Sequence, residues 1–153
     1  MGKTNANFQP TITNRRANHD FYFIELLDAG LVLKGTEIKS IRQGKVQMQD
    51  AYCYFDKNEL FVKNLQINVY DYGNLHNHDP KRPRKLLLTR LQLRRLKNKL
   101  NESGLTIIPV KIFFNERNFA KMQIALARGK KAYDKREAIK EKDLTRDRER
   151  NFY

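Results

Sequence analysis

The sequence predicts a mainly β domain: a small antiparallel barrel of five or six short strands, two or three short helices, and a disordered basic C-terminal tail. Three observations predict it. Short β-branched and aromatic runs recur between turn signals. Apolar residues follow the helical period in only two stretches. From Arg128 onward the apolar alternation stops, and ten Lys/Arg stand against six Asp/Glu with no apolar stripe at either period. The expected division is a flexible leader over 1–13, a barrel over 14–129 and a tail over 130–153.

Taken in order, Asn14-Arg15-Arg16-Ala17-Asn18-His19 is a polar, basic patch about one helical turn long. Phe21–Leu27 has strand composition, Asp28-Ala29-Gly30 is expected to break it, and Leu31-Val32-Leu33 resumes. Gly35–Gly44 reads as a two-turn helix capped by Thr36, with Glu37 at the positive end of the dipole and Gly44 past the last turn. Ile38 and Ile41 would face inward, leaving Glu37, Lys39, Ser40 and Arg42 toward solvent or a partner. Ala51–Phe55 and Leu60–Lys63 flank a hairpin turn, and Leu65–Val69 alternates as a further strand. Residues 70–85, with Gly73, Pro80 and Pro83, read as a long loop. Thr89 with Gln92 matches a capping box at the head of a helix to Leu100, with Leu93, Leu96 and Leu100 on its buried face and Gly104 ending it. Thr106–Phe114 and Phe119–Ala127 form a second hairpin, where Pro109 calls for an edge or a bulge. A closed sheet suits so small a chain because closure leaves no bare edge. By analogy of architecture alone, the oligonucleotide-binding (OB) barrel is the nearest nucleic-acid binder of this kind.

The charge is concentrated. The net is +14, and residues 81–100 hold nine Lys/Arg and no acid. Such clustering on a soluble chain is the footprint of a phosphate backbone, against the plainer reading of a surface charged for solubility. Lys81-Arg82-Pro83-Arg84-Lys85 reads as a stiff basic loop suited to phosphates. His19, Tyr70, Tyr72 and Tyr133 lie among basic residues or in loops, where bases could stack on them. Within the tail, Asp134-Lys135-Arg136-Glu137 is a helix start signal followed by i, i+3 ion pairs, too weak to hold a helix alone.

Catalysis has little to work with. His76 and His78 at i, i+2 fix no metal geometry and no further His or Cys joins them. No phosphate-cradling Gly-rich loop occurs, and neither Ser40 nor Ser103 sits in a nucleophile elbow. The single cysteine, Cys53, excludes an intrachain disulfide and alternates with Tyr52 and Tyr54 as a buried residue would. Without a signal peptide or an apolar run of membrane length, the expectation is a cytoplasmic monomer with no cofactor, no metal and no membrane contact.

Four motifs, in this order, resemble the bacterial small protein B family, the SsrA-binding proteins. They are Asn14-Arg15-Arg16-Ala17-Asn18-His19; Gly35-Thr36-Glu37-Ile38-Lys39-Ser40 with Arg42 and Gly44-Lys45; His78-Asp79-Pro80 with Arg82-Pro83-Arg84-Lys85-Leu86-Leu87-Leu88; and Ala127-Arg128-Gly129-Lys130-Lys131-Ala132-Tyr133-Asp134-Lys135-Arg136. The resemblance implies an OB-like barrel that grips the elbow of the tRNA-like domain of transfer-messenger RNA. It implies a non-enzymatic adaptor of trans-translation that enters ribosomes stalled on messages lacking a stop codon. RNA contacts are then expected at Asn14, Arg15, Arg16, His19, Asp28, Glu37, Lys39, Ser40, Arg42, Lys45, Arg84, Lys85, Leu87, Lys121, Arg128, Lys130 and Lys131. The tail, through Tyr133, Asp134, Lys135, Arg136, Lys140 and Lys142, is expected to meet the small-subunit RNA near the decoding centre and fold in the empty message channel. Three departures from the family pattern stand out: Asn18 where a basic residue is usual, Tyr133 where many relatives have His, and the non-basic end Asn151-Phe152-Tyr153. The alternative is a general rRNA-binding or ribosome-assembly protein with the same barrel, which gives the tail no special task.

Overall fold

Phe21–Leu31 is one unbroken strand of 11 residues and spans the predicted interruption. The computed structural model describes residues 9–73, 76–102 and 104–131. Within them the order is β1 (Ile12–Thr13), α1 (Arg15–Asp20), β2 (Phe21–Leu31), α2 (Gly35–Arg42), β3 (Val46–Gln47), β4 (Tyr52–Asp56) and β5 (Glu59–Lys63). Then follow β6 (Gln66–Ile67), β7 (Arg84–Leu87), α3 (Arg90–Leu100), β8 (Leu105–Phe114) and β9 (Ala120–Gly129). The predicted tail beyond Lys131 lies outside the described residues.

The domain is mainly β, and six strands hydrogen-bond in a ring. The order is β8-β4-β5-β7-β2-β9, with β9 pairing back onto β8, and every pairing is antiparallel. β1 adds to β8 through Ile12↔Ile112 and Thr13↔Lys111, so residues assigned to the leader by sequence are part of the sheet. β3 and β6 form a separate two-stranded ladder.

β2 survives its turn-like residues because partners are waiting on both sides. Asp28, Ala29 and Gly30 pair with Gln123, Met122 and Lys121 of β9, and Gly30 also pairs with Leu87 of β7. Ala29 is fully buried. Ladder bonds and burial outweigh local turn propensity, as tertiary context commonly does. β7 is the strand absent from the sequence reading, where prolines and cations look like loop. Leu86 turns inward, and Arg84 reaches the interior for the reason given below. The predicted strand over Leu65–Val69 contracts to the two residues of β6.

One large apolar cluster fills the ring, with Leu60, Val62, Leu86, Ile107, Ile112, Met122, Ile124 and Leu126 among its buried members. Leu96 of α3 joins it, and Leu93 and Leu100 pack against it, so α3 contributes the predicted leucine face. The capping box is formed: Gln92 N donates to Thr89 Oγ1 at 3.2 Å and Thr89 N to Gln92 Oε1 at 3.0 Å. Thr89→Ala is expected to cost about 1 kcal/mol, read as a melting temperature lowered by roughly 2–4 °C.

A smaller cluster lies outside the ring. Ala17 of α1 covers Ile108, Val110, Ala125 and Ala127 of β8 and β9, flanked by Phe21 and Phe23. Pro109 sits at a register shift of β8 between Pro109 and Lys111, the bulge its missing N–H demands. Cys53 is buried, and burial pushes its thiol pKa well up.

Candidate nucleic-acid interface

The outer face of β7, β2 and β9 carries a row built from three distant parts of the chain. Gly30 is cross-strand to both Leu87 and Lys121, and Asp28 to Gln123. A side chain at Gly30 would bring its Cβ to 3.2 Å from Leu87 Cβ, so the glycine lets Leu87 lie across the strand. Leu87 is nonetheless 52% exposed, and Leu26 and Asp28 are exposed on the same face. Lys121 also stands opposite Phe113 of β8. The row therefore offers an ammonium, a carboxylate and apolar contact side by side.

The other end of β2 meets α1 and the end of β9. Arg15 and Arg16 are exposed on α1, and His19 is partly exposed with its Nδ1 2.8 Å from Asp20 Oδ1. Lys130 N donates to Asp20 O at 2.8 Å, and Lys130 Nζ donates to Asn18 O at 3.1 Å and lies 4.9 Å from the Tyr22 ring centroid. Arg128 is exposed opposite Tyr22. Residues 128–131 are thus pinned beside α1, joining two basic motifs that are more than a hundred residues apart in sequence.

Asn14 sets the position of α1. Its backbone N–H donates to Val110 O at 2.8 Å, and its side-chain amide donates to Pro109 O at 2.9 Å and Met48 O at 3.3 Å. The side chain is buried and does not cap the helix. Asn14 thus supports the interface from beneath.

Three further predicted contacts are internal, which corrects the expectation that Glu37 and Ser40 face outward and that Arg84 lies in an exposed basic loop. Glu37 and Arg84 have 0% exposure, and Ser40 is likewise buried. The N-cap of α2 is Lys34, two residues before the predicted cap Thr36, and Glu37 Oε1 accepts from Lys34 N at 2.8 Å. Glu37 then pairs with Arg82 through one oxygen and Arg84 through the other. Arg84 donates besides to the carbonyls of Leu65, Pro80 (3.0 Å) and Asp79 (3.3 Å). Burial pushes the Glu37 carboxyl pKa up. The Lys34 amide and the two guanidiniums outweigh it and hold that pKa below its ordinary value. Thr36, predicted to cap, instead holds His78: His78 Nδ1 is 2.8 Å from Thr36 Oγ1, and its Nε2 is 2.8 Å from Ile67 O. The two nitrogens of His78 thus tie it to α2 on one side and β6 on the other, and among the described residues no three metal-ligating side chains gather.

The remaining α2 residues lie on the surface beside that loop. Lys39 Nζ is 5.2 Å from the Tyr70 ring centroid, Tyr70 meets Tyr72 edge-on at 5.5 Å, and Tyr72 is 78% exposed. Lys45 donates to Asp71 Oδ2 at 3.1 Å, and the Arg42 guanidinium lies 5.7 Å from the Phe114 ring centroid. This is a second cationic and aromatic patch, with Tyr70 and Tyr72 where stacking is possible. Lys85 is partly exposed and donates to Glu59 Oε1 at 3.0 Å. The six tail residues lie outside the described residues.

Comparison with known proteins decides the family. The family model described as SmpB protein matches residues 11–153. The chain belongs to the SmpB family. It is 52% identical to the SsrA-binding protein of Phocaeicola vulgatus over 141 residues, covering 92% of this chain and 94% of that one. It is 50% identical to the SsrA-binding protein of Syntrophomonas wolfei over 152 residues, covering 99% and 96%. Its fold matches a chain from the study "tmRNA-SmpB: a journey to the center of the bacterial ribosome" with a TM-score of 0.70 at 49% identity, over 85% of this chain and 94% of that one. The match with the Syntrophomonas wolfei protein runs over nearly the whole of both chains.

Proposed function

We propose that this chain is a non-enzymatic RNA-binding adaptor of trans-translation. It binds the tRNA-like domain of transfer-messenger RNA and delivers it to ribosomes stalled on messages without a stop codon. The observation that carries the reading is near-complete coverage, at about half identity, of proteins named for binding SsrA RNA. The strand ring is read as an OB-like barrel. Its outer row of Leu26, Asp28, Leu87 and Lys121, with Arg15, Arg16, His19, Arg128, Lys130 and Lys131 at the α1 end, is the surface for the tRNA-like domain. Arginine and lysine neutralise phosphates there, while Asp28 accepts from base amino groups or 2′-hydroxyls. Lys39, Arg42 and Lys45, with Tyr70 and Tyr72, face a second RNA surface in the ribosome. The tail reads the empty message channel. The working place that goes with this reading is the cytoplasmic ribosome; among the described residues no helix is long and apolar enough to cross a membrane.

The test is the RNA that the protein retains when purified from its own cells. One dominant transfer-messenger species is expected; a mixture of ribosomal RNA fragments would overturn the adaptor reading. Binding to the isolated tRNA-like fragment should also weaken steeply with salt, with a log–log slope of about 0.7–0.9 per phosphate neutralised.

A further inference from the structure

α3 carries two basic flanks, and only one of them has a partner. At about 100° per residue, Arg90, Arg94 and Lys97 fall within roughly 60° of one another on one side of the buried leucine stripe, and Arg95 and Lys99 fall on the other. The second flank is satisfied: Arg95 Nη2 lies 3.1 Å and Lys99 Nζ 3.6 Å from the carboxylate of Glu25 on β2. The first flank faces the turn between β4 and β5 across an open cleft of about 500 Å³. Lys57 stands on the opposite wall, and Phe55 and Leu93 contribute the apolar lining. Glu59 borders the cleft, but its carboxylate accepts from Lys85.

Four cations thus line one cleft, and Glu59, the acid in its lining, already accepts from Lys85. Arg90, Arg94 and Lys57 make no ion pair among the described residues, and Lys97 donates only to the neutral side-chain oxygen of Asn58. Like charges at i, i+4 destabilise a helix, and the absence of any acid over residues 81–100 rules out relief from within α3. The helical rise spaces the three α3 cations about 4.5–6 Å apart along the axis. A row of that length suits a polymer with repeated charges, where a single small anion would meet only part of it.

We infer that this cleft is a separate phosphate-backbone groove, which holds ribosomal RNA while the β2–β9 face holds the tRNA-like domain. The inference rests on reading the chain as an RNA-binding adaptor. Arg90 and Arg94 fork onto successive phosphates, Lys97 and Lys57 close the two sides, and Phe55 with Leu93 accept the sugar faces. None of these residues belongs to the β2–β9 row or to α1.

The full-length chain with both Arg90→Ala and Arg94→Ala tests this against two probes, purified small ribosomal subunits and the isolated tRNA-like fragment. Affinity for subunits is expected to fall roughly tenfold, and the salt slope to shallow by about 1.4–1.8, while fragment affinity stays within about twofold. Lys57→Glu, from the opposite wall, should reproduce the pattern. Arg90→Lys with Arg94→Lys should recover the salt slope and part of the subunit affinity, because the charge returns without the fork. Unchanged subunit affinity, or equal losses on both probes, would overturn the groove. Failure of the unaltered protein to bind the fragment would instead strike the adaptor reading itself. All three sites are exposed, so melting temperatures within about 2 °C of the parent are expected to accompany each variant.

Discussion

Glu37→Gln is expected to destabilise the fold by about 3–5 kcal/mol, because it strands a buried guanidinium. The carboxylate serves two arginines and the Lys34 amide from a position with no solvent access. Glutamine keeps the size but offers one acceptor where two are used, and its amide N–H groups oppose those of Arg84. The melting temperature should drop by roughly 10 °C. A double variant, Glu37→Leu with Arg84→Met, should recover most of the loss, since paired removal leaves no uncompensated charge. Acid titration gives an independent check. The Glu37 carboxyl titrates lower in the folded chain than in the unfolded one. Its contribution is therefore complete above the ordinary glutamate range, near pH 4.3, and is lost as pH falls through the depressed value. In Glu37→Gln that segment of the acid limb should disappear from a stability–pH profile. A Glu37→Gln protein as stable as its parent would show that the ion pair does not hold the 79–84 segment to α2.

Removal of every residue after Lys131 is expected to leave affinity for the tRNA-like fragment within about twofold and to abolish tagging in a reconstituted translation reaction on a message without a stop codon. Charge arithmetic supports the first half. Residues 132–153 hold seven Lys/Arg and six Asp/Glu, so the cut removes a net of only +1. The long-range attraction that dominates RNA affinity therefore stays with the body. The second half follows from the proposed task of the tail, whose start signal at Asp134 and whose ring at Tyr133 would both be gone. Tyr133→Ala alone should lower tagging far more than affinity. If affinity collapses along with tagging, the split between a gripping body and a reading tail is wrong.

The sequence made much of the fold legible. Both hairpins, the α3 cap, the leucine stripe and the Pro109 bulge rest on local rules that the final packing does not override. Two of the failures share one cause. Asp28-Ala29-Gly30 and Arg84-Lys85 look irregular by composition, but each is stabilised by residues far away in the chain, Lys121–Gln123 for the first and Glu37 for the second. The candidate site divides on the same line. Arg15 and Arg16 on α1 and Arg128 near the end of β9 are exposed, as their basic motifs suggest. Glu37, Ser40, Arg84 and Asn14 match a family motif, and a motif does not say whether a residue touches a partner or holds up one that does. One signal was available: an acid in the first turn of α2 and an arginine alternating with leucines in β7 are each costly alone and compatible as a pair. The α3 cleft was visible only as a count of charges, because its opposite wall comes from the β4–β5 turn.

Phe21 pairs with Gly129, and the strands bearing them run alongside each other down to Gly30 and Lys121. During vectorial synthesis, the early strand must wait for the late one to emerge before the sheet can close. A half-made chain displays its cations without the framework that aims them. A chain stopped before Ala120 lacks β9 altogether, and with it the pairings that close the ring onto β2 and β8.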